Sequence, residues 1–243
     1  MRVSIQCVIW REASITAYAK TKNLKIWLWV HSREVKDPEA RKAYFRKVAD
    51  AGMVGIKIDF PPASNRWWSN WYHDTARDAA SFHLMLDFHG AVKPTGTERT
   101  WPNVLTREGV RGHEYHITRY RRRLEADHDV ILPFTRYVAG AGDYTPTVFE
   151  PKELQGNTWG HELAQAVLFT SPYLCFGGHP KDYLANPART FSPRSRQYGT
   201  RPACCLAANP VRQSRWPGDR ATGGSSRRST GLTRRPWIFR SIS

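Results

Sequence analysis

The chain has 243 residues, 40% hydrophobic and 12% aromatic, with a formal net charge of +16; a sizeable core is expected and disorder throughout is excluded. No run approaches the roughly 18 consecutive apolar residues of a membrane span, and the opening "MRVSIQCVIWREASITAYAK" lacks the basic, apolar and small-residue regions of a secretion signal. Residues 1–188 hold 25 Lys+Arg against 20 Asp+Glu, whereas residues 189–243 hold 12 Arg against one acid, so the basic character belongs mostly to the tail and nucleic acid is a disfavoured partner for the rest.

In chain order, "NLKIWLWVHS" (Asn23 to Ser32) predicts a strand. "DPEARKAYFRKVADAG" predicts a helix with Asp37 as N-cap, Pro38 at its first position and Gly52 as its stop. A strand follows at 53–60, where Val54, Ile56, Ile58 and Phe60 alternate with Gly55, Lys57 and Asp59. Ser64 caps a second helix running to His83, whose Trp67, Trp68, Trp71 and Tyr72 read as packing. The strand at 84–89 sets Leu84, Leu86 and Phe88 against Met85, Asp87 and His89. A loop rich in Gly, Pro and Thr runs to about residue 112, and Thr158 to Phe176 predicts a last helix. Cys7, Cys175, Cys204 and Cys205 form no CxxC pair and read as free thiols.

This alternation implies an α/β fold with a parallel sheet, and the missing glycine-rich phosphate turn favours a (β/α) barrel over a doubly wound sheet. Three or four strands are visible, so residues 1–186 read as a partial (β/α)8 TIM barrel. Residues 187–243 read as a disordered Arg-rich tail. A nucleic-acid arm is one reading of that tail; GC-rich DNA translated out of frame fits its composition better.

Barrel active sites form where the strands end, and His31, Lys57, Asp59, Asp87 and His89 occupy such ends. Mutual neutralisation of Lys57 and Asp59 is the bland alternative. Glu108 and Glu114 add a carboxylate pair of the kind that glycoside hydrolysis uses; a solvated pair near Arg107 and Arg111 is the alternative. A zinc-dependent hydrolase is the rival class, with His89, His113, His116, His128 and Asp87 as ligands. Against it, "HEYH" is one residue short of HExxH, so its two His are turned about 300° from one another on a helix.

The ordered set "KIWLWVH", "GIKIDF", "LMLDFHGAVKPTGTERTWPNVLTREGVRGHEY", "HDVILPFTRYVAGAGDYTP" and "TWGHELAQAVLFTSPY" closely resembles the catalytic barrel of glycoside hydrolase family 97. The resemblance implies calcium-dependent α-glycosidase chemistry on an oligosaccharide or α-glycoside substrate. It makes Asp59 the nucleophile, Glu114 the general acid/base, Glu108 a Ca2+ ligand with Glu114 near the same ion, and His31, Lys57 and His89 sugar ligands. Gly90 stands where inverting members carry a base Glu, and Arg33 where they carry a second one, so retention of configuration is implied, with α-galactosides preferred to α-glucosides. "GDYTP" at Gly142 to Pro146 resembles a pocket-shaping loop. The resemblance also implies a periplasmic location, without a membrane partner. It places a β-sandwich before and a β-domain after a complete barrel, so the isolated chain is expected to fold poorly and to be inactive. Oligomeric state is not legible.

Overall fold

The computed structural model describes residues 14–62, 64–117, 124–146, 149–169, 171–177 and 179–187. The Arg-rich tail, the "RYRRR" run at Arg119 to Arg123, and three of the four cysteines lie outside them; Cys175 is a free thiol.

After a first helix, α1, over 14–21, four strands alternate with helices: β1 Trp27–His31, α2 Pro38–Asp50, β2 Gly55–Asp59, α3 Arg66–Ser81, β3 Met85–Phe88, the short α4 Thr97–Thr100, and β4 Val104–Arg107. All pair in parallel, in the order β1-β2-β3-β4. This is the α/β architecture expected. The fourth strand lies inside the segment read as a loop, because four residues without clear alternation become a strand only by pairing with β3.

The side-chain alternation of the strands separates two environments. Val30, Ile56, Ile58, Leu86 and Phe88 face α2 and α3, meeting Phe45, Trp68, Trp71 and Ala76 in one buried core. Truncating a fully buried residue such as Ile58 to Ala removes about 2–5 kcal/mol. The tryptophans are packing residues as predicted, and Trp71 also donates its indole N–H to the Val35 carbonyl at 3.3 Å; Trp67 remains half exposed. Arg107 is buried as well, its guanidinium 4.3 Å from the Tyr72 ring centroid.

The helix ends follow local chemistry. Asp37 caps α2 as predicted, accepting from the Glu39 and Ala40 amides at 3.0 and 2.9 Å, and Gly52 has φ +78° just beyond the helix. The cap of α3 is Asn65 rather than Ser64, because the Asn65 carboxamide oxygen accepts from the Trp68 amide at 3.1 Å. Of the segment after β4, α5 covers Glu114–Ile117 and α6 Ala126–Ile131; α7, Trp159–Leu168, stops well short of Phe176, and α8 is Pro180–Ala185. A proline at 172 disfavours helix in the residue before it.

The opposite sheet face is polar toward the strand ends. At its other end Trp27 lies across Gly55, where a Cβ would meet the indole at 2.6 Å, and stacks on Tyr173 with ring centroids 3.9 Å apart. Beyond β4, Gly142 makes a single parallel bridge to Arg107, and the Asp143 amide donates to the Arg107 carbonyl at 3.3 Å. The backbone therefore places Asp143 where a neighbouring strand end would lie.

Candidate active site

Asp59 closes β2 with both oxygens engaged. Oδ2 accepts the Trp29 indole N–H at 3.0 Å, and Oδ1 accepts the amide of Phe60 at 2.7 Å. Trp29 was not predicted as a site residue. The signal was present, since Trp29 shares a strand face with His31 and pairs in register with Lys57.

Lys57 does not neutralise Asp59; its ammonium pairs with Asp143 and lies 3.5 Å from Asp87. Burial alone would lower its pKa, but these carboxylates raise it well above the usual lysine value. Asp143 and Asp87 are both fully buried and share one environment. Burial, reinforced by Asp143, raises Asp87 well above the usual carboxylate range; in Asp143 the same burial penalty is outweighed by Lys57 and His89, which pull it below that range.

His89 continues this network. Its Nδ1 lies 2.8 Å from Asp143, and its Nε2 lies 3.2 Å from Glu114 and 3.4 Å from Glu108. Burial opposes protonation, yet the hydrogen bonds to Asp143 and Glu114 push the imidazole up to about 11. The His89 hydrogen bond in turn lowers Glu114, against the effect of burial. Burial and the Glu114 charge push Glu108 up to about 7, opposed by His89 and by the Gly90 amide, which donates to Oε2 at 2.7 Å.

His89, Glu108 and Glu114 thus converge, with ligand atoms within 4.8 Å of one another, in a group that could hold a metal ion. Two carboxylates facing one another suit a hard, oxygen-preferring cation, whose charge would offset the burial that raises Glu108, and Glu114 is partly open to solvent. Asp87, Asp143 and Cys175 form a second such group, but the Lys57 ammonium already occupies the position of its cation.

His31 lies at the end of β1, directly opposite Asp59 in register. Its Nδ1 accepts from the Arg33 amide at 3.2 Å and its ring packs near Phe60. Asp143, in the "GDYTP" loop, is the largest omission of the sequence reading. Its partner Lys57 is 86 residues away, and a turn of Gly, Asp and Pro needs no functional reason.

The zinc arrangement does not form. A turn of 300° is only 60° the other way, and the His113 and His116 rings do approach, to 4.3 Å. They lie in a different cluster from His89. His116 Nδ1 bonds the Glu153 carbonyl at 2.9 Å, and Nε2 accepts the Leu124 amide at 2.7 Å. His113 faces Glu162 at 3.3 Å, and His128 bonds the Arg111 carbonyl at 3.0 Å. Nearby, buried Asp129 accepts from the hydroxyl of Tyr144 and from Gln165 at 3.0 Å, with His161 at 2.7 Å. This cluster ties α6 and α7 to the loop between them.

One feature of the backbone supports the whole arrangement. Buried Arg136 donates from its guanidinium to the carbonyls of Arg107, Glu108, Gly109, Gly140 and Ala141, at 2.6–3.1 Å. It holds the segment carrying Glu108 against the segment leading to Asp143.

Residues 12–110 match the family model described as Glycoside hydrolase 97. The chain is 35% identical over 179 residues to a probable retaining alpha-galactosidase of Streptomyces bingchenggensis, covering 73% of this chain and 27% of that protein. It is 34% identical over 188 residues to a retaining alpha-galactosidase of Bacteroides thetaiotaomicron, covering 71% and 28%. The chain thus spans little more than a quarter of the length of these curated relatives. Among solved structures, a family 97 enzyme from a Pseudoalteromonas species, in complex with panose, superposes with TM-score 0.66 at 22% identity over 80% of this chain and 32% of that one. A beta-arabinopyranosidase superposes with TM-score 0.66 at 25% identity, over 74% and 32%.

Proposed function

Because residues 12–110 belong to glycoside hydrolase family 97, we propose that this chain supplies the catalytic strand ends of a retaining α-glycosidase, acting on terminal α-galactosides, with α-glucosides second. The observation that carries the reading is the pair of sites at adjacent strand ends: a buried Asp59 carboxylate held by two N–H donors, beside the His89–Glu114–Glu108 cluster.

In the double displacement proposed, an Asp59 oxygen attacks the anomeric carbon and the C–O bond to the leaving group breaks. Glu114 delivers a proton to the departing oxygen. In the second half, Glu114 takes a proton from water as that water attacks the same carbon and frees Asp59. The proton needed first resides on the His89–Glu114 pair, which Asp143 orients from the other side of the imidazole. With both ring nitrogens engaged, His89 acts chiefly on Glu114. Lys57 has three N–H donors; Asp143 accepts one, Asp87 lies 3.5 Å from the ammonium, and a remaining N–H is assigned to a sugar hydroxyl. His31 is assigned to the same rim.

Glu108 and Glu114 are the residues that would hold a calcium ion, with His89 beside it. When bound, the ion supplies a fixed positive charge that binds sugar oxygens and offsets the two carboxylates.

The test is an Asp59→Gly variant of the intact protein, assayed with an aryl α-galactoside and an aryl α-glucoside. Azide should restore turnover and give the β-glycosyl azide. A folded variant that azide does not rescue overturns the role of Asp59, and a faster aryl α-glucoside reaction overturns the sugar preference.

A further inference from the structure

We propose that Trp29 and Gly90 are positioning residues that together form the seat of the Asp59 carboxylate; the kinetic part of this proposal rests on Asp59 acting as the nucleophile. Trp29 fixes Oδ2 from the β1 side through its indole N–H at 3.0 Å. Gly90 acts from the β3 side by having no side chain. A Cβ built there would lie 2.8 Å from Asp59 Oδ1, 3.0 Å from the Phe60 nitrogen and 3.2 Å from the Phe60 Cα. The first distance is shorter than real Cβ contacts allow, so any larger residue must move Asp59 or the backbone beside it. Gly90 also has φ +58°, a left-handed conformation that L side chains rarely adopt.

The junction is tightly determined. Phe60 has φ +60°, and its amide donates both to its neighbour's Oδ1, at 2.7 Å, and to the His89 carbonyl, at 3.2 Å. The Gly90 amide binds Glu108 at 2.7 Å. One residue without a side chain therefore touches both carboxylate sites: its amide holds Glu108, and its empty side admits Asp59. Trp29, at 52% exposure, keeps much of its ring at the surface while its N–H is committed to the carboxylate.

The experiment is a pair of double-mutant cycles in the intact protein, using Trp29→Phe, which keeps a ring and removes the N–H, and Gly90→Ala, which adds only the Cβ. In urea unfolding, Gly90→Ala should lower the midpoint, and part of that loss should disappear in an Asp59→Gly background. In kinetics, Trp29→Phe should lower kcat about 10-fold or more and Gly90→Ala about 100-fold, each with KM changed less than about threefold. In the azide-rescued Asp59→Gly protein, Trp29→Phe should have no further effect.

A kcat loss from Trp29→Phe that persists at full size in the rescued Asp59→Gly protein overturns the seat. So does a Gly90→Ala stability penalty that is the same with and without Asp59. If azide fails to rescue Asp59→Gly, the nucleophile reading falls on its own. The unfolding cycle still decides whether Gly90 makes room for the carboxylate. Should Gly90→Ala fail to fold, the Trp29→Phe cycle decides alone.

Discussion

Arg136 offers the most direct test of how the site is held. Its side chain is 7% exposed overall and makes six N–H contacts to five main-chain carbonyls, three on the Arg107–Gly109 segment and two at Gly140 and Ala141. Arg136→Ala removes these donors and leaves buried carbonyls short of partners. A hydrogen bond to a charged group contributes about 1.5–3 kcal/mol net, but six shared contacts from one buried cation do not add, because burying the cation carries its own desolvation cost. Treating the site as one cation with about one unsatisfied group on each segment gives a loss of about 3–5 kcal/mol. Arg136→Lys keeps the charge but has three donors on one atom instead of a planar fork, so it reaches one segment and recovers roughly half. Urea unfolding of the three proteins measures this. Arg136→Ala within about 1 kcal/mol of the parent, or Arg136→Lys no better than Ala, refutes the reasoning.

Other predictions concern separate parts of the molecule. Burial, with His116 beside it, pulls His113 down to about 4. Folding thus lowers its proton affinity, so stability is whole above about pH 6.5 and falls as pH drops toward 4, by about 3 kcal/mol in total; His113→Gln should flatten that limb of the stability curve. Calcium should raise the unfolding temperature in differential scanning fluorimetry, and Glu108→Gln should remove most of the shift; an equal shift in the variant excludes Glu108 as a ligand. Gly55→Ala should cost about 1–3 kcal/mol by overpacking and displace Trp27 from Tyr173, visible as a changed tryptophan emission.

The strand faces were legible in the sequence because alternation is a local property: Ile56 and Ile58 go to one side, Lys57 and Asp59 to the other, and no distant partner is needed to say so. Asp37 was legible as a cap because a proline and a helix pattern follow it directly. Asn65 was not, since Ser64 and Asn65 are both competent caps and only the backbone path selects between them. β4 escaped because its identity lies in its pairing with β3. The site divides in the same way. Asp59 and His89 announce themselves at strand ends, and Trp29 would have followed from counting back two residues from His31. Asp143 and Arg136 could not be found by pattern, because their partners lie on segments that only the folded chain brings near. His113 and His116 show the reverse, a local motif whose meaning the fold replaced.

Sheet order that follows chain order also governs how this segment can be made. Trp27 finds Gly55 after 28 residues, Gly55 finds Met85 after 30, and Leu86 finds Val104 after 18. The entropic costs of closing these loops differ by only about 0.5 kcal/mol, so no pairing must wait for a much rarer encounter. A ribosome adding about 5–20 residues per second releases each new βα unit over a few seconds. Parallel pairing through a crossover is slower than the microsecond closure of a hairpin, but small mixed α/β folds still form in about a second or less. Each strand can therefore dock on its predecessor before the next one emerges, and the carboxylates of the site would be gathered one strand end at a time, in the order in which they are translated.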